Sequence, residues 1–413
     1  MTHSYLYRLA LSAALLLSLF LLRPCRANPA GAVRLDRDLE AFRGRYTPAI
    51  LRMTFTTAKV SGRDESFLDL SLILPRGALV GKRVQLSQAS LAELLRSLYS
   101  QVARQEPLGE QNPAAPARRL YDLLIRPIKA DLDAAEVTTL LLSVDTGLQA
   151  LPFAVLHDGQ SFFGARYGFS LTPTLGLMPL DVPSQQVKGG QLLAGSAVFD
   201  GLAPLPLVPQ ELGQIESVRH GEDYLNKQFT PDLLLKRLAD PAVKYVHAAT
   251  HAEFLPGGPS RSRLYTGVGP MTLSQFAGMR QRRQGQPLEL IVLSACRTAL
   301  GDKDSELGFA GLALQAGARS AIGTLWYVDD VATSGFFVLF YRYLEAGYPK
   351  AEALQMTRRD FASGAVRLSA DRLVGGDGQL LLKDLDAQQQ RRLAAGLTHP
   401  YFWGGIELLG TPW

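Results

Sequence analysis

Leu288-Glu289-Leu290-Ile291-Val292-Leu293-Ser294-Ala295-Cys296-Arg297-Thr298 is the stretch that decides the fold. Residues 288–295 form an apolar run with little polar alternation, the pattern of a strand buried on both faces of a parallel sheet. Cys296 ends the run and opens a polar turn with Arg297 and Thr298. A second run of the same kind, residues 243–250, ends at His251, 45 positions before Cys296. In parallel sheets the loops at the carboxyl ends of strands form the ligand crevice. A thiol and an imidazole at two such ends, on strands able to be neighbours, make a cysteine nucleophile the first hypothesis.

Outward from these runs the chain alternates between strand and helix patterns. Residues 137–144, 191–198 and 320–325 read as further buried strands. Residues 119–128, 209–220, 231–238, 273–283, 307–316 and 331–346 read as helices. Residues 151–156 and 162–169 suggest a hairpin around Asp158-Gly159. Residues 371–390 look like a polar insertion, and 399–409 an apolar strand or edge element. This βα alternation predicts a mostly parallel sheet with helices on both faces. Upstream, residues 49–59 and 67–74 read as strands and 91–102 as a helix behind Ser87 and Ser90, a small α+β lead-in. The stretch 106–116 is the linker candidate.

The N-terminal 27 residues read as an export signal. Arg8 precedes an uncharged apolar run, residues 9–22, too short for a typical membrane-spanning helix. Cys25 and Ala27 are the small residues before a cut at Asn28. An uncleaved membrane anchor is the other reading of this segment. The expected layout is a signal at 1–27, an α+β region at 28–110 and the main domain at 117–413, its catalytic half about 190–413. The expected localisation is exported, periplasmic or extracellular, with membrane contact only if the signal stays attached.

Lys and Arg number 43 against 38 Asp and Glu. Arg8, Arg23 and Arg26 lie in the signal, which holds no acid, so the excess of +5 falls to +2 beyond it. No basic stripe with interleaved aromatics is present, which argues against nucleic acid as a partner. The two cysteines are Cys25 and Cys296, so loss of the signal leaves Cys296 without a disulfide partner in its own chain. A reactive thiol then competes with a buried apolar one.

Cysteine catalysis needs a thiolate, a base to form it and donors for the oxyanion. His251 fits the base, and the N–H groups of Ala252 and Cys296, both just past strand ends, fit the donors. His247 and His251 are four apart, but on a strand that separates them by about 13 Å. With no third ligand, no metal or other cofactor is expected, and His247 reads as a supporting strand histidine. Asp329 and Asp330 end the next strand region. They either pair a basic substrate side chain or cap the helix that starts near Val331. Glu306, in the loop after Cys296, is a further candidate for the crevice.

These motifs together resemble the CHAT domain family of caspase-like, separase-related cysteine peptidases, from about Arg119 to Trp413. The resemblance is carried by Leu151-Pro152-Phe153-Ala154-Val155-Leu156-His157-Asp158-Gly159, by Leu205-Pro206 and by Glu211. Ala249-Thr250-His251-Ala252-Glu253-Phe254 and Leu293-Ser294-Ala295-Cys296-Arg297-Thr298-Ala299-Leu300-Gly301 carry it most strongly. Ala316-Gly317-Ala318-Arg319-Ser320, Leu325-Trp326-Tyr327-Val328-Asp329-Asp330 and His399-Pro400-Tyr401-Phe402-Trp403 complete it. Ser294-Ala295-Cys296-Arg297 is also similar to the caspase motif, whose histidine lies about 50 residues upstream. The resemblance implies a caspase-like three-layer α/β sandwich, a dyad of His251 and Cys296, and hydrolysis of a protein or peptide substrate. From the separases it implies recognition of a basic residue by Asp329 or Asp330. The chain departs from the family at Ala252, usually glycine, at Arg297, often acidic, and at Val268-Gly269-Pro270, usually an Asp-Gly turn. It also carries no helical repeats.

The expected function is an exported cysteine endopeptidase controlled by a regulatory protein partner or by processing. A binding module that keeps the fold without catalysis is the alternative, and a thiol acyltransferase on the same dyad is a third.

Overall fold

The computed structural model describes residues 46–145, 147–172, 187–253, 260–294, 316–327 and 329–413, with Leu175, Gly311, Ala313 and Leu314 besides. Strands β1 (Pro48–Val60) and β2 (Arg63–Ile73) form a hairpin. Its turn is Ser61-Gly62, with φ of 50° and 79°. Positive φ at both central turn positions matches the right-handed twist of paired strands. β3 (Leu79–Gln85) pairs with β2. Ser87 then caps α1 (Gln88–Ala103), which buries Leu91, Leu95, Leu98 and Val102.

The expected helix at 119–128 is two helices, α2 (Pro116–Leu124) and α3 (Arg126–Ala134). The break at Ile125 lies two residues before Pro127, whose ring disfavours a continuous helix. β4 (Thr139–Val144) follows. The expected hairpin around Asp158-Gly159 does not form as two strands. A 3-10 turn at Phe153–Val155, a single bridge between His157 and Phe162, and the short α4 (Phe163–Arg166) lead into β5 (Gly168–Thr172). Pro152 cannot donate to a ladder, and the Asp158 carboxylate takes the N–H groups of Gln160 and Ser161 at 2.7 and 2.8 Å, fixing a turn.

The second half of the chain comprises β6 (Gly190–Gly195), α5 (Val208–Val218), β7 (Glu222–Leu225), α6 (Pro231–Ala239) and β8 (Val243–Ala249). A small sheet follows: β9 (Ala252–Glu253), β10 (Arg263–Thr266) and β11 (Gly269–Thr272). The helix expected at 273–283 is a 3-10 turn and a separate α7 (Met279–Arg282). Gly278 between them has φ 75°, a left-handed conformation that ends helical hydrogen bonding. Then come β12 (Leu290–Ser294), β13 (Ser320–Thr324), α8 (Asp330–Glu345) and α9 (Lys350–Ala362). The expected polar insertion is ordered as β14 (Arg367–Ser369), β15 (Arg372–Val374), β16 (Leu380–Leu382) and α10 (Ala387–Leu393), the last opened by a capping box of Asp386 and Gln389. β17 (Ile406–Gly410) closes the chain. The helix expected at 307–316 falls largely outside the described residues.

Eleven strands form one sheet in the order β3-β2-β1-β4-β5-β17-β13-β12-β8-β6-β7. β13, β12, β8, β6 and β7 run parallel to one another. β17, β5, β4 and β1 form a second parallel block, and the blocks meet antiparallel at β13 and β17. β17 is therefore the central joint of the sheet and not an edge. The lead-in strands extend the same sheet, with β1 hydrogen-bonded along β4. Every residue of β4, β5, β12, β13 and β17 is buried, as helices on both faces require. The molecule is an α/β sandwich on a mostly parallel sheet.

Arg358 of α9 and Glu407 of β17 are buried together at 3.9 Å, and the Arg358 guanidinium also reaches the Ile406 carbonyl at 2.5 Å. Neither Glu407 carboxylate oxygen accepts a hydrogen bond among the described residues. Burial pushes the Glu407 carboxyl up to about 8, against the pull of Arg358. The folded chain thus holds this proton more tightly than the unfolded chain, whose glutamate titrates near 4.5. The resulting stability is full below that value and is lost as pH rises toward 8. Glu407→Gln is expected to flatten the fall in the urea midpoint between pH 5 and 8. A slope unchanged by the substitution would rule this out.

Candidate active site

Parallel pairing of β8 and β12 runs from Tyr245 beside Leu290 to Ala249 beside Ser294. Thr250 continues it by donating its N–H to the Ser294 carbonyl at 3.2 Å. His251 is the next residue, at the carboxyl end of β8 and only partly buried. Its carbonyl accepts from Tyr265 N at 3.0 Å, and the Thr250 hydroxyl donates to the Tyr265 carbonyl. The small sheet thereby fixes the backbone on which the imidazole stands.

The His251 Nε2 atom lies 2.8 Å from the Ala203 carbonyl oxygen. A carbonyl only accepts, so Nε2 carries a proton, and in the neutral tautomer this leaves the lone pair on Nδ1. Phe199 packs on the ring, with centroids 4.7 Å apart. A histidine oriented through one nitrogen and basic at the other is arranged for proton transfer. Ala252 is an ordinary strand residue, paired with Leu264, and is not among the residues with positive φ. Glycine's special conformational freedom is therefore not needed at this position.

Beside His251 opens a cleft lined by Leu205, Leu207 and Val208 together with Thr250, Ser294, Asp330 and Thr333. Glu211 of α5 and Ser334 of α8 also line it. Glu211 is 2% exposed and uses both carboxylate oxygens: Oε1 lies 2.8 Å from His247 Nε2, and Oε2 accepts from the Ser334 hydroxyl at 2.7 Å. His247 is fully buried against Phe337 and Tyr341. This relay ties α5, β8 and α8 together beneath the cleft, which is the supporting role expected of His247. Among the described residues, no group of three His, Cys, Asp or Glu could hold a metal ion.

The two acids expected as candidates differ in placement. Asp329 caps α8, its Oδ1 accepting from Val331 N and Ala332 N at 3.0 and 3.1 Å, and its Oδ2 accepts from Arg392 Nε at 2.7 Å. Asp330 lines the cleft and also pairs with Arg392. Burial, then the neighbouring Asp329 charge, raises the Asp330 carboxyl, while Arg392 pulls it down. Cys296 and Glu306 lie outside the described residues. The Ala203 carbonyl, Phe199 and Arg392 are features that sequence reasoning missed. Phe199 was findable, since it sits just past the carboxyl end of β6, the strand beside β8. The other two carry no local signal.

A mostly parallel sheet between helices, with an oriented histidine at a strand's carboxyl end, defines an α/β fold whose strand-end loops form a site. The CHAT domain matches residues 114–411, so the chain belongs to the CHAT domain family. Among solved structures, separase in the Saccharomyces cerevisiae separase-securin complex is similar at a TM-score of 0.52 and 10% identity, covering 93% of this chain. The chain spans only 31% of that separase chain. A second structure of that complex gives 0.49 at 11% identity, over 92% and 31% of the two chains. The Arg-specific cysteine proteinase gingipain R is similar at 0.41 and 9% identity, over 79% and 76%. At 10% identity, the likeness at a TM-score of 0.52 speaks for the fold alone. No curated protein matches the chain by sequence.

Proposed function

We propose that this chain is an exported cysteine endopeptidase in which Cys296 is the nucleophile and His251 its base and acid. One observation carries the reading. From Tyr245 to Ala249, each residue of β8 stands beside the residue 45 positions later in β12, and 45 is also the separation of His251 from Cys296. The two strands lie one strand spacing of about 4.8 Å apart, and in sequence Cys296 follows Ser294, as His251 follows Ala249, by two residues.

His251 Nδ1 takes the thiol proton, and the imidazolium keeps its Nε2 hydrogen bond to Ala203 while it stabilises the thiolate. The sulfur attacks the peptide carbonyl carbon. The N–H groups of Ala252 and Cys296 receive the oxyanion. The imidazolium then protonates the leaving amine, and water hydrolyses the thioester with His251 again as base.

Asp330 supports a preference for a basic residue before the scissile bond, since it is the member of the acidic pair that fronts the cleft. A substrate guanidinium would compete with Arg392 for it. Asp330→Asn is expected to lower kcat/KM for an arginyl peptide by about 10- to 100-fold, as loss of a charged hydrogen bond does. A norleucyl analogue should be little affected. An equal fall for both substrates would sink the assignment. The N-terminal run supports export. A regulatory protein partner extends the reading, since the separase neighbour was solved in complex with securin.

A further inference from the structure

A second hollow of about 850 Å³ is lined by Phe199, whose ring packs on that of His251. Its walls are Val198-Phe199-Asp200 after β6, Leu225 to Gln228 at the end of β7, and the β10–β11 turn from Tyr265 to Pro270. Val198 and Val268 are 67% and 58% exposed, two of the five exposed large apolar residues among the described ones. Apolar groups held in solvent within a concave wall mark a binding surface.

The walls are locked to one another. Asn226, in a left-handed conformation at φ 53°, accepts the Ala197 N–H on its side-chain oxygen at 2.8 Å. Its carbonyl oxygen lies 1.8 Å from where a Cβ on Gly267 would stand, so only glycine lets the turn approach this closely. Gly267 N donates to the Phe229 carbonyl at 2.9 Å. Three separate chain segments thus build one preformed groove.

The sheet order gives the groove its use. Successive strands β13, β12, β8, β6 and β7 have their carboxyl ends in one row. Asp330 follows β13, His251 follows β8, Phe199 follows β6 and Lys227 follows β7. In peptide hydrolysis the imidazole protonates the departing amine, so the scissile nitrogen faces His251. The acyl half of the substrate then lies toward β12 and β13, and the amine half continues past His251 over β6 and β7. Two strand spacings of about 4.8 Å accommodate roughly three extended residues.

Resting on the peptidase reading for its direction, we infer that this groove binds the segment after the scissile bond and selects apolar side chains there. Val198 and Val268 contact those side chains, and Phe199 forms the wall shared with the reacting centre.

The test uses two quenched peptides with the same arginine-ended acyl half, followed by Leu-Phe-Ala or by Gly-Ser-Gly. The full chain is expected to favour the apolar leaving segment about tenfold in kcat/KM, the scale of a buried apolar group. In Val268→Asp the ratio of the two should fall to about one. Val268 is exposed, so this substitution leaves the core intact. No preference in the parent protein, or a ratio unchanged in the variant, overturns the groove assignment. If neither peptide is cleaved, the peptidase reading fails, and fluorescence anisotropy of the labelled apolar peptide decides the groove by itself. Binding weakened about tenfold by Val268→Asp supports the assignment, and absent or unaltered binding overturns it.

Discussion

His251→Ala is expected to lower kcat/KM for an arginyl peptide by about a thousandfold, the middle of the range for a lost general acid–base group. The size follows from the imidazole's two separate tasks. In the proposed mechanism it forms the thiolate before attack and protonates the amine on expulsion. The Ala203 hydrogen bond fixes which nitrogen does both. Because the ring is only partly buried, its removal leaves the β8–β12 pairing and the Glu211–His247 relay intact. Circular dichroism and the urea midpoint should therefore match the parent protein. A loss of less than about fivefold would mean that His251 is not the base.

Arg283→Met is expected to remove on the order of 4 kcal/mol of folding stability, since buried carbonyls left without a donor cost about 1–3 kcal/mol each. Arg283 is fully buried and donates through Nε to the Gln286 carbonyl at 2.8 Å. Nη1 reaches the Leu238 and Asp240 carbonyls, each at 2.7 Å, and Nη2 reaches Val243 at 2.8 Å and Pro287 at 3.3 Å. One guanidinium thereby joins the end of α6, the start of β8 and the approach to β12. These are the amino ends of the two strands whose carboxyl ends serve the proposed dyad. Arg283→Lys keeps the charge without the planar fork and should recover only part of the loss. Urea unfolding gives the comparison, and a loss below about 1 kcal/mol would contradict the clamp.

The strands of the second half of the chain were legible because burial on both faces writes itself as unbroken apolar runs. β8, β12 and β13 all show this, and their carboxyl ends single out His251. α8 was legible from its apolar length. β17 was not recognised as central, because five residues containing Glu407 resemble an edge, and its neighbours β13 and β5 are far away in sequence. α9 escaped notice since its buried residues mix Lys350, Glu352, Thr357 and Arg358 with Ala351, Ala353, Leu354 and Phe361, which blurs the apolar stripe. At the site, residue type revealed the imidazole and the acidic pair. A backbone carbonyl such as Ala203 carries no residue-type signal. Arg392 meets Asp329 and Asp330 from more than 60 positions away, so both acids looked free to bind a substrate cation when each already holds one.

Reaction of the protein with an arginine-ended peptide acyloxymethyl ketone, read by intact mass and peptide mapping, tests the dyad most directly. The predicted result is a single adduct on Cys296 that forms much more slowly in His251→Ala. No adduct on the folded protein, or one that forms equally fast without the imidazole, would contradict the dyad.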